Sequence, residues 1–175
     1  MNRQELCKNI FETAYLTGNF KLRSGQTSHE YFDKYRFEAK PELLKAIAQQ
    51  MKSLIPAGTE ILAGLELGGV PLATALAIET GLPLCFVRKK AKEYGTEKVA
   101  EGTELKGKKV CVIEDVVTTG GQVILSAKDL RDLGANVDSV LCVILRDQTG
   151  SDKLKESGLE LKPLFTMEEL KATKN

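Results

Sequence analysis

Residues 110–121 read Val110-Cys111-Val112-Ile113-Glu114-Asp115-Val116-Val117-Thr118-Thr119-Gly120-Gly121. Four apolar residues end in two adjacent carboxylates, and two hydroxyls and two glycines lead on from there. Beyond them Val123, Ile124, Ala127, Leu130 and Leu133 recur at helical spacing. The segment therefore reads as a strand over residues 109–114, a turn, and a helix over about residues 121–133. The switch from a short β-rich run to a 3.6-residue period is the signature of one unit of an α/β fold.

Working outward, the same alternation recurs. Ile61-Leu62-Ala63 is a strand, followed by the turn Glu66-Leu67-Gly68-Gly69 and a helix carrying Leu72, Ala75, Leu76 and Ile78 up to Gly81. Leu84-Cys85-Phe86-Val87 and residues 137–145 are further apolar strands. Runs this apolar belong to a mostly parallel central sheet covered by helices on both faces, with right-handed crossovers. Upstream, Leu6, Ile10 and Ala14 place a helix over about residues 3–17, and Pro41 opens another that runs toward Pro56. Phe20-Lys21-Leu22 and Tyr31-Phe32-Asp33 read as short extended pieces between them.

The 175 residues suit one domain, residues 1–175. With 25 basic against 24 acidic residues the net charge is +1, which leaves no global field for nucleic acid or an anionic membrane, so any anion must be held locally. The four cysteines, Cys7, Cys85, Cys111 and Cys142, are far apart and mostly inside apolar runs, which reads as free thiols in a reducing cytoplasm. No secretory leader is read in the first twenty residues, and no apolar run approaches the ~20 residues that span a bilayer.

Ligands of open α/β sheets sit beyond the carboxyl ends of the strands, which directs attention to the loops there. A glycine turn frees backbone amides, a helix start adds its positive dipole end, and Thr118 and Thr119 add hydroxyls; together these make a monophosphate cradle. Glu114 and Asp115 would repel a phosphate, so they are read as acceptors for sugar hydroxyls beside it. Taken apart, an acid pair ending a strand and a Thr-Thr-Gly-Gly turn are ordinary; their order is what one sugar-phosphate ligand needs. Walker and dinucleotide glycine patterns are absent. The charged run Arg88-Lys89-Lys90-Ala91-Lys92-Glu93-Tyr94-Gly95-Thr96 reads alone as a solvated loop, but its place after a strand and its glycine also suit a lid over a polyanion.

Residues 110–121 resemble the phosphoribosyl diphosphate (PRPP) binding motif of the type I phosphoribosyltransferases. Phe20-Lys21-Leu22-Arg23-Ser24-Gly25 with Tyr31-Phe32-Asp33, the run from Arg88, and Leu145-Arg146-Asp147-Gln148 are similar to segments of the orotate phosphoribosyltransferases within that group. The resemblance implies the type I fold with a small amino-terminal hood and a mobile lid loop. It also implies transfer of ribose 5-phosphate from PRPP to N1 of orotate, a step of pyrimidine biosynthesis.

For the residues of this chain, the resemblance implies that PRPP is bound by Arg88, Lys89, Lys92, Tyr94 and residues 114–122, that is Glu114, Asp115, Val116, Val117, Thr118, Thr119, Gly120, Gly121 and Gln122. The diphosphate falls to Glu66, Leu67 and Gly68, with a non-proline cis peptide at Glu66-Leu67. Orotate falls to Arg23, Tyr31, Phe32, Thr118 and Arg146, and catalysis to Lys92, Lys89 and Asp115. Where relatives have Lys before Ser-Gly this chain has Arg23, and where many have His it has Tyr94. Mg²⁺ is expected to be held mainly by substrate oxygens and not by protein side chains alone. A homodimer is expected, the lid of one subunit serving its neighbour's site. Rival readings are a phosphoribosyltransferase for another base and a non-catalytic PRPP-sensing regulator; the near-zero charge and short chain disfavour a DNA-reading version of the latter.

If Lys92 sits on a lid, Lys92→Ala lowers turnover by about 100-fold, as loss of one transition-state donor does, while shifting thermal stability by no more than a surface change. Parallel rate and melting measurements check this; an equal loss of folding would place Lys92 in the core instead.

Overall fold

The computed structural model describes residues 1–21, 25–90 and 99–174 of the chain. A six-stranded sheet organises it, built from β3 (Ile61–Leu65), β4 (Leu84–Val87), β5 (Ala100–Gly102), β6 (Lys109–Val117), β7 (Asn136–Leu145) and β8 (Glu160–Thr166) in the order β5-β4-β3-β6-β7-β8. All neighbours are parallel except β4 and β5. A separate antiparallel hairpin joins β1 (Tyr15–Lys21) to β2 (Thr27–Phe32). The helices are α1 (Arg3–Ala14), α2 (Tyr35–Glu38), α3 (Pro41–Met51), α4 (Gly69–Thr80), α5 (Gly121–Asp132), α6 (Gln148–Glu156) and α7 (Met167–Ala172), with a short 3-10 turn, Lys52–Leu54, after α3.

The sheet separates two apolar layers. Cys111 and Ile113 of β6 and Leu141 and Val143 of β7 pack with Leu6, Ile10, Phe37, Ile47 and Leu76 from helices α1 to α4. Val110 and Val112, with Val140 and Cys142, pack against Val123, Ala127 and Leu130 of α5 and Leu154 of α6. Alternate residues of one strand thus serve opposite layers, which is why β6 reads as continuously apolar. Cys7, Cys85, Cys111 and Cys142 are all buried free thiols, and no helix of the described residues is long and apolar enough to cross a membrane.

Several boundaries differ from the sequence reading. Helix α1 stops at Ala14, not near residue 17, because Tyr15 pairs with Phe32 and the Ala14 carbonyl accepts the Asp33 amide at 2.8 Å. Strand β6 runs three residues past Glu114, since Val116 and Val117 still pair with Ile144 and Leu145 of β7. Both acids therefore lie inside the strand. Short α2 and β5 and the carboxyl-terminal α6, β8 and α7 had no counterpart in the periodicity. Strand β8 carries Pro163, which an edge strand tolerates and a central one does not.

Candidate active site

Two glycine-started helices begin at the carboxyl ends of adjacent parallel strands. After β6, Thr118 and Thr119 are exposed and Gly120 turns the chain with φ 73° into α5, whose first turn receives no side-chain cap. Gly121 and Gln122 are exposed at that helix start. After β3, Glu66-Leu67 is a cis peptide, as the resemblance implied, and Gly68 begins α4, again with no side-chain cap. Helices α1, α6 and α7 are capped by Asn2, Asp147 and Thr166. Helices α2 and α3 also start without a side-chain cap, but only α4 and α5 of the four do so from a glycine, and there the free amides are left to another acceptor at the sheet's carboxyl edge.

The two acids differ sharply. Glu114 is half-buried and its Oε1 accepts the Asp115 amide at 2.9 Å. Asp115 is wholly buried: Oδ1 accepts the Val116 amide at 2.5 Å, and Oδ2 lies 2.5 Å from Lys34 Nζ. Burial opposes the charge of Asp115, but hydrogen bonds from Glu114 and Lys34, with the lysine charge, outweigh it and hold the carboxyl below the usual aspartate range. Burial, then the negative charge of Asp115, holds the Glu114 carboxyl well above its usual value. The expectation that both acids stand open to a sugar thus needs refinement: Asp115 is enclosed, and an internal lysine already answers its charge.

Lys34 and Glu38, both from the α2 turn, were missed by sequence reasoning. Lys34 is two-thirds buried, and Glu38 is 7% exposed with Oε1 lacking a hydrogen-bond partner. In the sequence they look like part of a solvated charged turn, Asp33-Lys34-Tyr35-Arg36. The one signal was a run of charges punctuated by Phe32 and Phe37, since Phe37 is fully buried and pins α2 inward.

The base-side candidates also converge. A cavity of about 170 Å³ is lined by Tyr31, Phe32 and Arg146, with Phe11, Glu30 and Lys171 around them. Tyr31 stacks on Phe20 at 5.4 Å and is 43% exposed, whereas Phe32 is half-buried and packs toward Phe37. Arg146 is exposed, its amide donates to the Val117 carbonyl at 2.8 Å, and it makes no ion pair among the described residues. Thr118 does not line this cavity. The Val117 side chain belongs to the core, so only its backbone could meet a ligand. Arg88 and Lys89 are exposed after β4, and the Lys89 amide donates to Glu66 Oε2 at 3.2 Å, tying the start of the charged run to the turn after β3. Arg23, Lys92 and Tyr94 lie outside the described residues.

Gly68 closes over the acids. A Cβ built on it would stand 1.6 Å from Asp115 Oδ2 and 2.9 Å from Glu38 Oε1, whereas one on Gly121 meets nothing nearer than 4.0 Å. Gly68→Ala should therefore cost about 2–4 kcal/mol by disturbing a buried ion pair, and Gly121→Ala less than about 0.5 kcal/mol. Urea unfolding of the two variants checks this, and equal effects would contradict the close approach.

Residues 36–162 match the family model described as the phosphoribosyl transferase domain. An orotate phosphoribosyltransferase of a Nocardioides species is 52% identical over 97% of this chain and 94% of its own length. One from Methanocella arvoryzae is 43% identical over 95% of each. Among solved structures, Mycobacterium tuberculosis orotate phosphoribosyltransferase in complex with PRPP superposes with TM-score 0.83 at 26% identity, covering 97% of this chain and 98% of that one. On sequence, fold and the arrangement of its strand-end loops together, the chain belongs to the phosphoribosyltransferase family, among its orotate phosphoribosyltransferases.

Proposed function

We propose that the chain transfers ribose 5-phosphate from PRPP to N1 of orotate, forming orotidine 5′-monophosphate and diphosphate in de novo pyrimidine (UMP) biosynthesis. The observation that carries this reading is the pair of uncapped, glycine-started helices α4 and α5 at neighbouring strand ends, next to an aromatic cavity with a free arginine. The α5 start with Thr118 and Thr119 takes the 5-phosphate, and Glu114 and Asp115 orient the ribose hydroxyls. The Glu66-Leu67-Gly68 turn offers the diphosphate its place, with Arg88 and Lys89 nearby. Arg146 grips the planar anionic base, whose ring packs against Tyr31 and Phe32.

Displacement at the anomeric carbon develops positive charge on the sugar and negative charge on the leaving diphosphate. Catalysis is then positioning and electrostatics: the one ionised carboxyl, Asp115, on the sugar side and cations around the diphosphate. Lys89, Lys92 and Asp115 are the groups assigned to it; Lys92 and Tyr94 are placed by the resemblance alone, which implies that closure over the ligand would exclude water. Among the described residues no three ligating side chains are arranged to hold a metal ion, and Lys34 already occupies Asp115. Mg²⁺ is proposed, from the resemblance, as a partner of the diphosphate oxygens, where it would neutralise the leaving group. We place the enzyme, one phosphoribosyltransferase domain over residues 1–175, in the cytoplasm.

A two-fold dimer fits the outer face of α3 and α4. Ile78 is 81% exposed and lines, with Leu44, Ala48 and Ala75, an apolar groove between the two helices. A second copy seated on that groove would give the two-fold pair that the resemblance implies.

Mixing the protein with PRPP, Mg²⁺ and a panel of bases should consume orotate alone; turnover of a purine or of another pyrimidine would reassign the base, and no turnover with any base would favour a PRPP-sensing role. Ile78→Glu should shift the protein from dimer to monomer in sedimentation and lower orotate turnover with it. A variant that remains dimeric would move the interface elsewhere.

A further inference from the structure

We infer that Glu38 and Lys34 are positioning residues for Asp115: Lys34 neutralises its carboxylate, and Glu38, carrying a proton, donates to it, so that the sugar meets one fixed anion. This rests on the proposed role of Asp115 at the ribose. The geometry is specific. Glu38 Oε1 and Asp115 Oδ2 both lie against Gly68, both are buried, and Glu38 Oε1 has no hydrogen-bond partner. Two bare carboxylates so placed would repel strongly where burial leaves little water to screen them, whereas a single proton between them gives each oxygen a partner. The charged groups that face Glu38 are Asp115 and Glu114 from β6 and Lys34 from its own turn. From the β3–α4 side, Gly68 presents backbone alone.

Charge balance agrees with this placement. The cluster holds three carboxyls and one ammonium, and it is neutral when Asp115 alone is ionised. Burial, then the charge of Asp115, pushes the Glu38 carboxyl up to about 9. The proton is therefore present at neutral pH and leaves as pH rises through 9, at which point a second anion confronts Asp115. Because the unfolded chain loses that proton at its ordinary value of 4.5, the contribution of this carboxyl to folding stability falls progressively from there up to about 9 and changes no further above it.

The test combines a resonance with a binding split. With ¹³C-carboxyl-labelled glutamate, the unsubstituted protein should show, besides the raised carboxyl of Glu114, a second one that still titrates above about pH 8, and Glu38→Gln should remove that second resonance. If every glutamate is ionised by about pH 6, or the resonance survives the substitution, the inference is overturned. For PRPP affinity at about pH 7, Glu38→Gln, which keeps a neutral donor, should stay within about threefold of the unsubstituted protein, and Glu38→Leu should lose about tenfold. Raising the pH to about 9.5 should weaken binding to the unsubstituted protein but not further weaken Glu38→Gln. Lys34→Met should lose more than Glu38→Leu, with partial rescue by Lys34→Arg. Equal damage from Gln and Leu in folded proteins would reduce Glu38 to packing. If no version binds PRPP, the proposed function fails while the resonance still decides the state of Glu38.

Discussion

An aspartate with no contact with water needs a cation within hydrogen-bond reach, and the architecture around β6 is arranged to bring one. Exposed pairs such as Lys128 with Asp132, at 2.6 Å on α5, contribute little because water screens both charges, and could be lost without consequence. The pair between Lys34 and Asp115 is of another kind, because leaving either charge buried alone costs about 3–5 kcal/mol. To make it, α2 must dock on the sheet through Phe37, the turn after β3 must come down as bare backbone at Gly68, and β6 must extend past its acids. Sheet, turn and amino-terminal segment meet at one carboxylate.

The helix starts show a second constraint. An N-cap side chain stabilises a helix by about 1 kcal/mol, and α1 and α7 have full capping boxes in which the cap and a glutamate satisfy one another. Helices α4 and α5 forgo that stabilisation at the edge where β3 and β6 end. In α5 the conformation explains the residue: with φ at 73° and Leu154 and the Gly150 carbonyl within 3.2 Å of any Cβ, position 120 accepts only glycine. The amides left free are the ones an anion can satisfy, so local instability and binding capacity have the same origin.

How far the sequence revealed this depends on the range of each interaction. The β6–turn–α5 unit was legible because its signals, a β-rich run, a glycine pair and a helical period, lie within about twenty residues. The end of α1 was not, since Tyr15 and Leu16 continue an apolar pattern that only pairing with β2 interrupts. Four-residue α2 and three-residue β5 are too short to show a period, and α6 buries little beyond Gly150 and Leu154. Family resemblance supplied Tyr31, Phe32 and Arg146, which the fold gathers around one cavity. It did not supply Lys34 and Glu38. Their partner lies some eighty positions away, and a charged turn looks the same in sequence whether it faces water or a buried acid.

That long-range pairing gives the site a property neither half has alone. Phe32 lines the cavity assigned to the base, and Lys34, two residues on, neutralises the acid assigned to the sugar. The segment between them is held by short bonds: the Asp33 amide to the Ala14 carbonyl at 2.8 Å and the Tyr35 amide to Asp33 Oδ1 at 3.2 Å. A displacement of Phe32 has little slack to absorb it before it reaches Lys34, so the packing of the base-side ring and the electrostatic state of Asp115 are set by the same few residues of chain. Ordering the hairpin and α2 against the sheet thus does two things at once: it shapes the base cavity, and it fixes the counterion without which the sugar-side carboxylate could not remain ionised in so enclosed a place.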